Sequence, residues 1–252
     1  MAAVASLWRH PIKSHGRESV PVAALSRGGT FPWDRTWAIR NSRSRIDPAA
    51  PAWGPKANFV NGMTLPAVAA IASHLDEARA EVTLTHPQAG TITIRPDDAT
   101  DAGRLVDWLA PLCPPDRPGP DSVVRLDARG MTDTDWPSVS LINLASNAAV
   151  GLLAGQEITP ERWRGNIWVE GAGAWVERGW IGCRLRIGGA ILTVREPITR
   201  CLQTAASPET GERDIDMLKV LTDAFGSAEF GVYCEVTQGG EIRPGNRIEV
   251  LR

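Results

Sequence analysis

Apolar positions recur every second residue in many short stretches of this chain, and every third or fourth residue in only a few. Val4 to Trp8 reads as a strand followed by Pro11, and Glu18 to Val22 as another ahead of the Gly28-Gly29 turn. Thr36 to Arg40 follows Trp33-Asp34-Arg35. Val82 and Leu84, then Ile92 and Ile94, alternate with threonines on either side of Pro87-Gln88-Ala89-Gly90, which predicts a hairpin. Cys183 to Ile187, Ala190 to Val194 and Val232 to Val236 are further strand-like runs. Helical spacing is rarer. Thr100 to Leu112 carries Leu105, Val106, Trp108, Leu109 and Leu112 on one side. Ser146 to Ala154 reads as a helix with Ser146 near its N-cap. Thr159-Pro160 places a cap before a first-turn proline. Asp214 to Phe225 runs from an aspartate cap to a Gly226 stop. The pattern predicts a β-rich fold, mainly β with peripheral helices, in two lobes. The densest breaker run, Leu112 to Pro120, sets the expected boundary, giving lobes of 1–118 and 119–252.

Composition narrows the function classes. The 252 residues hold 27 Lys plus Arg against 29 Asp plus Glu, a formal charge of -2, which argues against a general nucleic-acid or anionic-membrane binder. No apolar run approaches the roughly 20 residues of a membrane span, and Met1 to Arg9 has no secretory signal pattern. Cys113, Cys183, Cys201 and Cys234 lie far apart, so a reduced, cytoplasmic protein without a disulfide scaffold is expected. Ten of the aromatic residues are Trp, four Phe and one Tyr, so Trp dominates either core packing or a pocket lining.

Several loops carry possible chemistry. Cys201 follows Arg200, with Arg195 nearby and Pro197 breaking the preceding strand, so it belongs on a loop at a barrel rim. Cationic neighbours favour the metal-ligating thiolate, although a lone loop cysteine can equally be inert. Lys13, Ser14 and Gly16 suit an anion or form an ordinary solvated turn. Asp34-Arg35 reads as a phosphate contact or a structural ion pair. Ser140 to Ser146 feeds a strand into a helix start, which is an anion site or simple capping. Arg162-Trp163-Arg164-Gly165-Asn166 leads basic and amide groups into another strand. The four histidines show no zinc spacing, and no G-x-S-x-G elbow supports a serine triad.

The order of these pieces carries a resemblance. Pro11-Ile12-Lys13-Ser14, Asp34-Arg35-x-Trp37 and Ser140-Leu141-Ile142-Asn143-Leu144-Ala145-Ser146 come first. Arg162-x-Arg164-Gly165-Asn166-Ile167, Arg200-Cys201-x-x-Thr204 and Phe230-Gly231-Val232-Tyr233 follow, before Gly240-x-Ile242-x-x-Gly245. The chain resembles MOSC-domain proteins, with a MOSC N-terminal β-barrel region before the MOSC domain. It is similar to the molybdenum-cofactor sulfurase C-terminal domain and to the amidoxime-reducing component family. His15 stands where many relatives carry Cys, and Trp53-Gly54-Pro55-Lys56 replaces a stretch that often contains Arg.

The resemblance implies a MOSC-type β-barrel with an N-terminal β-barrel-like lobe, and a bound molybdenum cofactor in its molybdopterin form. Cys201 would be the catalytic thiolate and metal ligand. Lys13, Ser14, Arg35, Ser146, Arg164 and Asn166 match the cofactor-contacting positions, joined by Ser140, Asn143 and Arg200. The activity implied is reduction of a small N-hydroxylated or N-oxide-type substrate, with electrons from a separate flavoprotein, ferredoxin or haem protein. The alternatives are a cofactor carrier or sulfur relay without redox turnover, and an interaction domain that has lost the cofactor. Neither a cysteine-rich ferredoxin-like tail nor an aminotransferase domain is seen, so an iron–sulfur cluster and pyridoxal phosphate are not expected.

Overall fold

The fold is that of a computed structural model, which describes residues 1–251. The first half of the chain forms β1 (Ala3–Arg9), β2 (Glu18–Val20), β3 (Ala23–Leu25), β4 (Trp37–Asn41), β5 (Ala72–Asp76), β6 (Glu81–His86), β7 (Gly90–Ile94) and α1 (Ala99–Leu109). After it come β8 (Pro120–Arg125), β9 (Val139–Asn143), α2 (Leu144–Ala154), β10 (Ile167–Glu170), β11 (Arg184–Ile187) and β12 (Ala190–Thr199). The chain finishes with α3 (Met217–Phe225), β13 (Glu229–Gln238), β14 (Gly240–Ile242) and β15 (Ile248–Leu251).

One sheet runs β15-β11-β12-β13-β9-β10-β1-β2. Its ends meet: Ala3 bridges Arg247, Val4 N donates to Asn246 O at 2.9 Å, and Ile248 N donates to Ala2 O at 2.9 Å. This contact joins β15 to the start of β1 and closes the sheet into a barrel, with β2 as the strand left outside the closure. Alternation fills the interior. Val139 and Leu141, Ile167 and Val169, and Val232 and Cys234 all join one buried cluster. Ile142 and Trp168 point the other way, into a second cluster beneath α2 and α3 with Trp163 and Phe230. With both faces covered, β10 reads as a continuous apolar run over Ile167, Trp168 and Val169, whereas β9 interrupts its apolar residues with Ser140 and ends on Asn143.

The other lobe packs the β5-β6-β7 sheet and the β4-β8 pair around α1. Ile12, Trp37, Ile39, Val82, Leu84, Leu105 and Leu109 share its core. The expected boundary after residue 118 lies in the loop before β8, but strands cross it both ways. β8 pairs with β4, while β1 and β2 belong to the barrel sheet.

Three expected details are corrected. Asn143, not Ser146, caps α2, accepting from Ala145 N at 3.0 Å. Asp216 rather than Asp214 caps α3, because Asp214 is taken by a two-pronged pair with Arg162 at 2.8 Å on each arm. Pro197 does not end its strand: β12 continues to Thr199 through bulges that absorb the missing N–H. Trp37, Trp163 and Trp168 are fully buried, so tryptophan is mainly a packing residue here.

Gly130 seats the segment between β8 and β9 on the Asp34-Arg35 turn. A Cβ there would lie 2.2 Å from the Asp34 carbonyl oxygen, which is backbone and cannot swing aside. Gly130→Ala is expected to destabilise the fold by about 1–3 kcal/mol, read as a lower denaturant midpoint. An unchanged midpoint would mean that this contact relaxes freely.

Candidate functional site

Four loops converge at one end of the barrel. The first follows β1: Lys13 N donates to Trp37 O at 2.7 Å, and Ser14 adopts a left-handed φ of 66°. The second is the Trp33–Arg35 turn, where Arg35 N donates to His10 O at 2.7 Å and Arg35 has φ 53°. Buried Asp34 ties the two loops together. It accepts from His10 N at 2.8 Å, pairs with His10 Nδ1 at 3.0 Å and holds the Arg35 guanidinium. The third loop is a 3-10 turn, Pro160–Trp163, that ends on Arg164 at φ 54°. Arg164 Nη1 donates to Gly16 O at 2.8 Å, and Arg35 Nη2 donates to Arg164 O at 3.3 Å. Left-handed backbone at three non-glycine residues in one place is strain of the kind concentrated at functional sites.

The fourth loop brings Arg200 and Cys201 from the end of β12. Arg200 Nε donates to Phe230 O and Nη1 to Trp163 O, each at 2.8 Å, and the guanidinium lies over both rings. Cys201 is half-buried.

Between these loops is a cavity of about 60 Å³. Its wall brings together Lys13, Ser14, Arg35, Ser140, Arg164, Arg200 and Cys201. Asn143, Ser146 and Asn166 lie off that wall. Asn166 locks parallel strands, accepting from Ser140 Oγ at 2.8 Å and donating from its backbone N to the same Oγ at 2.9 Å. Asn143 and Ser146 instead serve the buried Glu177 carboxylate: Ser146 Oγ donates at 2.7 Å and Asn143 Nδ2 at 3.1 Å.

The cavity also contains Asp133, which the sequence reading passed over, and Tyr233, which it named within the Phe230–Tyr233 motif but not as a site residue. Asp133 takes the Lys13 ammonium, which also donates to Met131 O at 2.9 Å. Tyr233 faces the cavity from β13. Asp133 lay in an unpatterned polar loop, with no signal to mark it. Tyr233 carried one: it is the sole tyrosine, between two inward-facing apolar residues.

The charge arrangement is lopsided. Arg164 Nη2 and Arg200 Nη2 are buried without a hydrogen-bond partner in the described structure. An unpaired buried guanidinium N–H is costly, and an anion in the cavity would satisfy it. Burial lowers both arginines, Arg164 to about 9 with Arg35 adding like-charge repulsion, and Arg200 to about 10. Burial likewise lowers Lys13, against the pull of Asp133. Burial opposes the Arg35 charge too, but Asp34 and Asp133 outweigh it and hold that group above its ordinary value. An anion with several oxygens matches this donor set.

Two buried histidines set a pH dependence of stability. Desolvation lowers His10 to about 3 and His15 to about 4, so both are neutral in the fold. The unfolded chain binds these protons near pH 6.5. Stability is therefore full above that value and falls as pH drops toward about 4. Each histidine contributes a slope of about 1.4 kcal/mol per pH unit in that window. Urea unfolding between pH 7 and 5 is expected to show this fall, with His15→Gln removing one proton's worth. A flat profile would contradict it.

Residues 1–109 match the MOSC N-terminal beta barrel domain, and residues 134–249 match the MOSC domain. No curated protein matches the chain. Among solved structures, the YUAD protein from Bacillus subtilis is 16% identical with a TM-score of 0.47, covering 99% of this chain and 96% of its own. YiiM from Geobacillus stearothermophilus is 20% identical with a TM-score of 0.37, covering 45% of this chain and 54% of its own. YiiM from Escherichia coli gives 17% and 0.34 over the same 45% and 54%. Among the described residues, no helix is long and apolar enough to cross a membrane. The two matched regions between them take in both lobes, the barrel and the Arg200-Cys201 loop, and the chain is a member of the MOSC family, a MOSC N-terminal beta barrel domain followed by a MOSC domain.

Proposed function

We propose that the cavity holds a molybdenum cofactor in its molybdopterin form, and that the protein reduces N-hydroxylated or N-oxide-type compounds with electrons from a separate redox protein. The observation that carries this reading is the pairing of two partnerless buried guanidinium nitrogens, on Arg164 and Arg200, with the Cys201 thiol on one cavity wall. MOSC-family membership is consistent with molybdenum-cofactor association. The donor set fits the group: a soft thiolate for the metal, and cationic N–H groups for a terminal phosphate. Cys201 is the thiol on that wall and would be the protein's ligand to the metal.

When bound, this cofactor supplies two-electron oxygen-atom transfer chemistry. The protein's own groups have separable tasks. Lys13, Arg35, Arg164 and Arg200 bind the anionic part, and Asp34 and the Arg164 carbonyl orient Arg35. Trp163 and Phe230 pack against the Arg200 guanidinium, their ring centroids 5.3 and 5.7 Å from its central carbon. Ser14 offers a hydroxyl at the wall, while Ser140, whose own hydroxyl is committed to Asn166, joins Asn143, Ser146 and Asn166 in shaping the site through the β9–β10 lock and Glu177. A flavoprotein, ferredoxin or haem protein would deliver the electrons.

The test is turnover of amidoximes and N-hydroxylated bases by cofactor-loaded protein with a chemical reductant. Multiple turnovers are expected. Tight cofactor retention with no turnover across these substrates and several donors would overturn the reductase reading in favour of a carrier.

A further inference from the structure

The segment after Cys201 is folded on itself and laid against the other lobe. Thr204 N donates to Cys201 O at 3.1 Å, and Thr204 Oγ1 donates to the same oxygen at 2.9 Å. Asp214 N donates to Ala205 O at 3.1 Å, Ala206 bridges Arg213, and Ser207 N donates to Glu212 O at 2.7 Å. A displacement at Pro208 is therefore passed back toward Cys201 rather than absorbed in between. Across the lobe boundary the chain segments nearly touch. A Cβ on Gly211 would lie 2.7 Å from Ala67 Cα, and one on Gly16 would lie 2.6 Å from Ser73 Cβ. Arg17 fastens this contact. Its Nη1 donates to Ala69 O at 2.9 Å and to Ile71 O at 3.0 Å, and its Nη2 donates to Pro208 O at 2.8 Å. Burial disfavours its charge, and Glu161 and Glu209 offset part of that cost. A planar guanidinium fork can hold carbonyls on two separate segments at a fixed angle, which a lysine ammonium on its flexible stem cannot. The space beside it, bordered by Arg164, Gln203 and Ala206, is about 10 Å³, room for at most one water and too little for a ligand.

We propose that Arg17 is a positioning residue, its guanidinium a clasp that sets where the Cys201 thiol stands relative to the Lys13–Ser14 loop. Arg17 continues that loop directly, and Gln203, in the turn that follows Cys201, donates to Ser14 O at 3.4 Å. The clasp thus joins the two loops from which Lys13 and Cys201 reach the cavity. The chemical importance of this spacing rests on the reading above, in which Lys13 and Cys201 hold parts of one group.

The test is alkylation of cofactor-free protein by iodoacetamide, resolved by mass spectrometry at each cysteine and followed across pH. The alkaline plateau reports access to the thiol, and the midpoint reports its ionisation. In Arg17→Met and Arg17→Lys the Cys201 plateau is expected to rise about tenfold, the change in opened population from losing one hydrogen bond to a charged group. Cys113 and Cys183, half-buried elsewhere, are expected to keep their wild-type rates. An unchanged Cys201 plateau overturns the proposal, as does recovery of the wild-type plateau in Arg17→Lys. An equal rise at Cys113, Cys183 and Cys201 also overturns it, because that marks general loosening of the fold. Loaded protein gives a second readout. Arg17 lies off the cavity wall, so both variants are expected to lower kcat for amidoxime reduction about tenfold with KM within about twofold. An unchanged kcat in both variants, with wild type turning over, overturns the proposal. Wild-type protein that takes up no metal defeats the cofactor reading instead, and the alkylation rates still decide the clasp.

Discussion

Cys201→Ala is expected to cut amidoxime reduction to the background of the reductant alone while leaving the folded barrel intact. The two halves of this expectation have different physical sources. The thiol is the soft donor on the cavity wall, and no nearby histidine or carboxylate cluster can replace it among the described residues. Structurally, however, the residue carries little. It is half-buried, it lies beyond the last residue of β12, and its loop is held by backbone bonds: Arg200 N to Ala228 O at 2.7 Å and Thr204 N to Cys201 O at 3.1 Å. Losing one sulfur there should change stability by no more than about 1 kcal/mol. The contrast with Cys234 is instructive. That thiol is fully buried in the barrel core and pushed up to about 12, so it is a packing residue and a poor thiolate source. Measured together, turnover and denaturant midpoint separate these roles. Comparable turnover in Cys201→Ala and wild type would remove the proposed centre.

Asp34→Ala is the structural counterpart, with an expected cost of about 3–5 kcal/mol. Asp34 is buried beside one cation and one neutral ring, and it also accepts a backbone N–H. Burial alone would raise its carboxyl, but Arg35 and His10 reverse that and hold it far below the usual carboxylate range. Removing it leaves the Arg35 charge in a cavity already crowded with Arg164, and it orphans His10 N. The loop after β1 and the Arg35 turn would then part, taking Lys13 and Arg35 out of register. The linkage has a definite sign. A depressed folded-state value means the stabilisation is fully present above the unfolded value near 3.9, and is lost as pH falls through the folded one. The wild-type and Asp34→Ala unfolding curves should therefore differ most at neutral pH and converge in strong acid. A difference below about 1 kcal/mol at pH 7 would show that the pair is merely a surface-like contact.

How far the sequence anticipated this molecule depended on the range of the interaction involved. The Val82–Ile94 hairpin was legible because alternation and its Gly90 turn are local, and β6 and β7 pair in that register. The α1 helix was also legible, but its end was not. Pro111 converts the last turn to 3-10 geometry after Leu109, where the apolar spacing alone ran on to Leu112. At the site, Lys13, Arg35, Arg164, Arg200 and Cys201 could be named because their order along the chain matches a family pattern. Asp133 could not, since its place is set by a long-range pair with Lys13 across the two lobes. The Asp214 and Asp216 exchange has the same cause. Either aspartate satisfies a capping rule, and only the distant Arg162 decides which one is free to cap. Similarly, the bulges that carry β12 past Pro197 depend on its partner β13, which periodicity within one strand does not show.

The central claim is that a thiolate and a set of partnerless guanidinium groups together hold a molybdenum pterin. Metal and pterin analysis of the protein purified from a host that makes the cofactor tests it most directly. The account predicts close to one molybdenum and one pterin per chain, with the metal lost from Cys201→Ala and the pterin weakened in Arg164→Gln. Folded wild-type protein from such a host carrying neither metal nor pterin would contradict it.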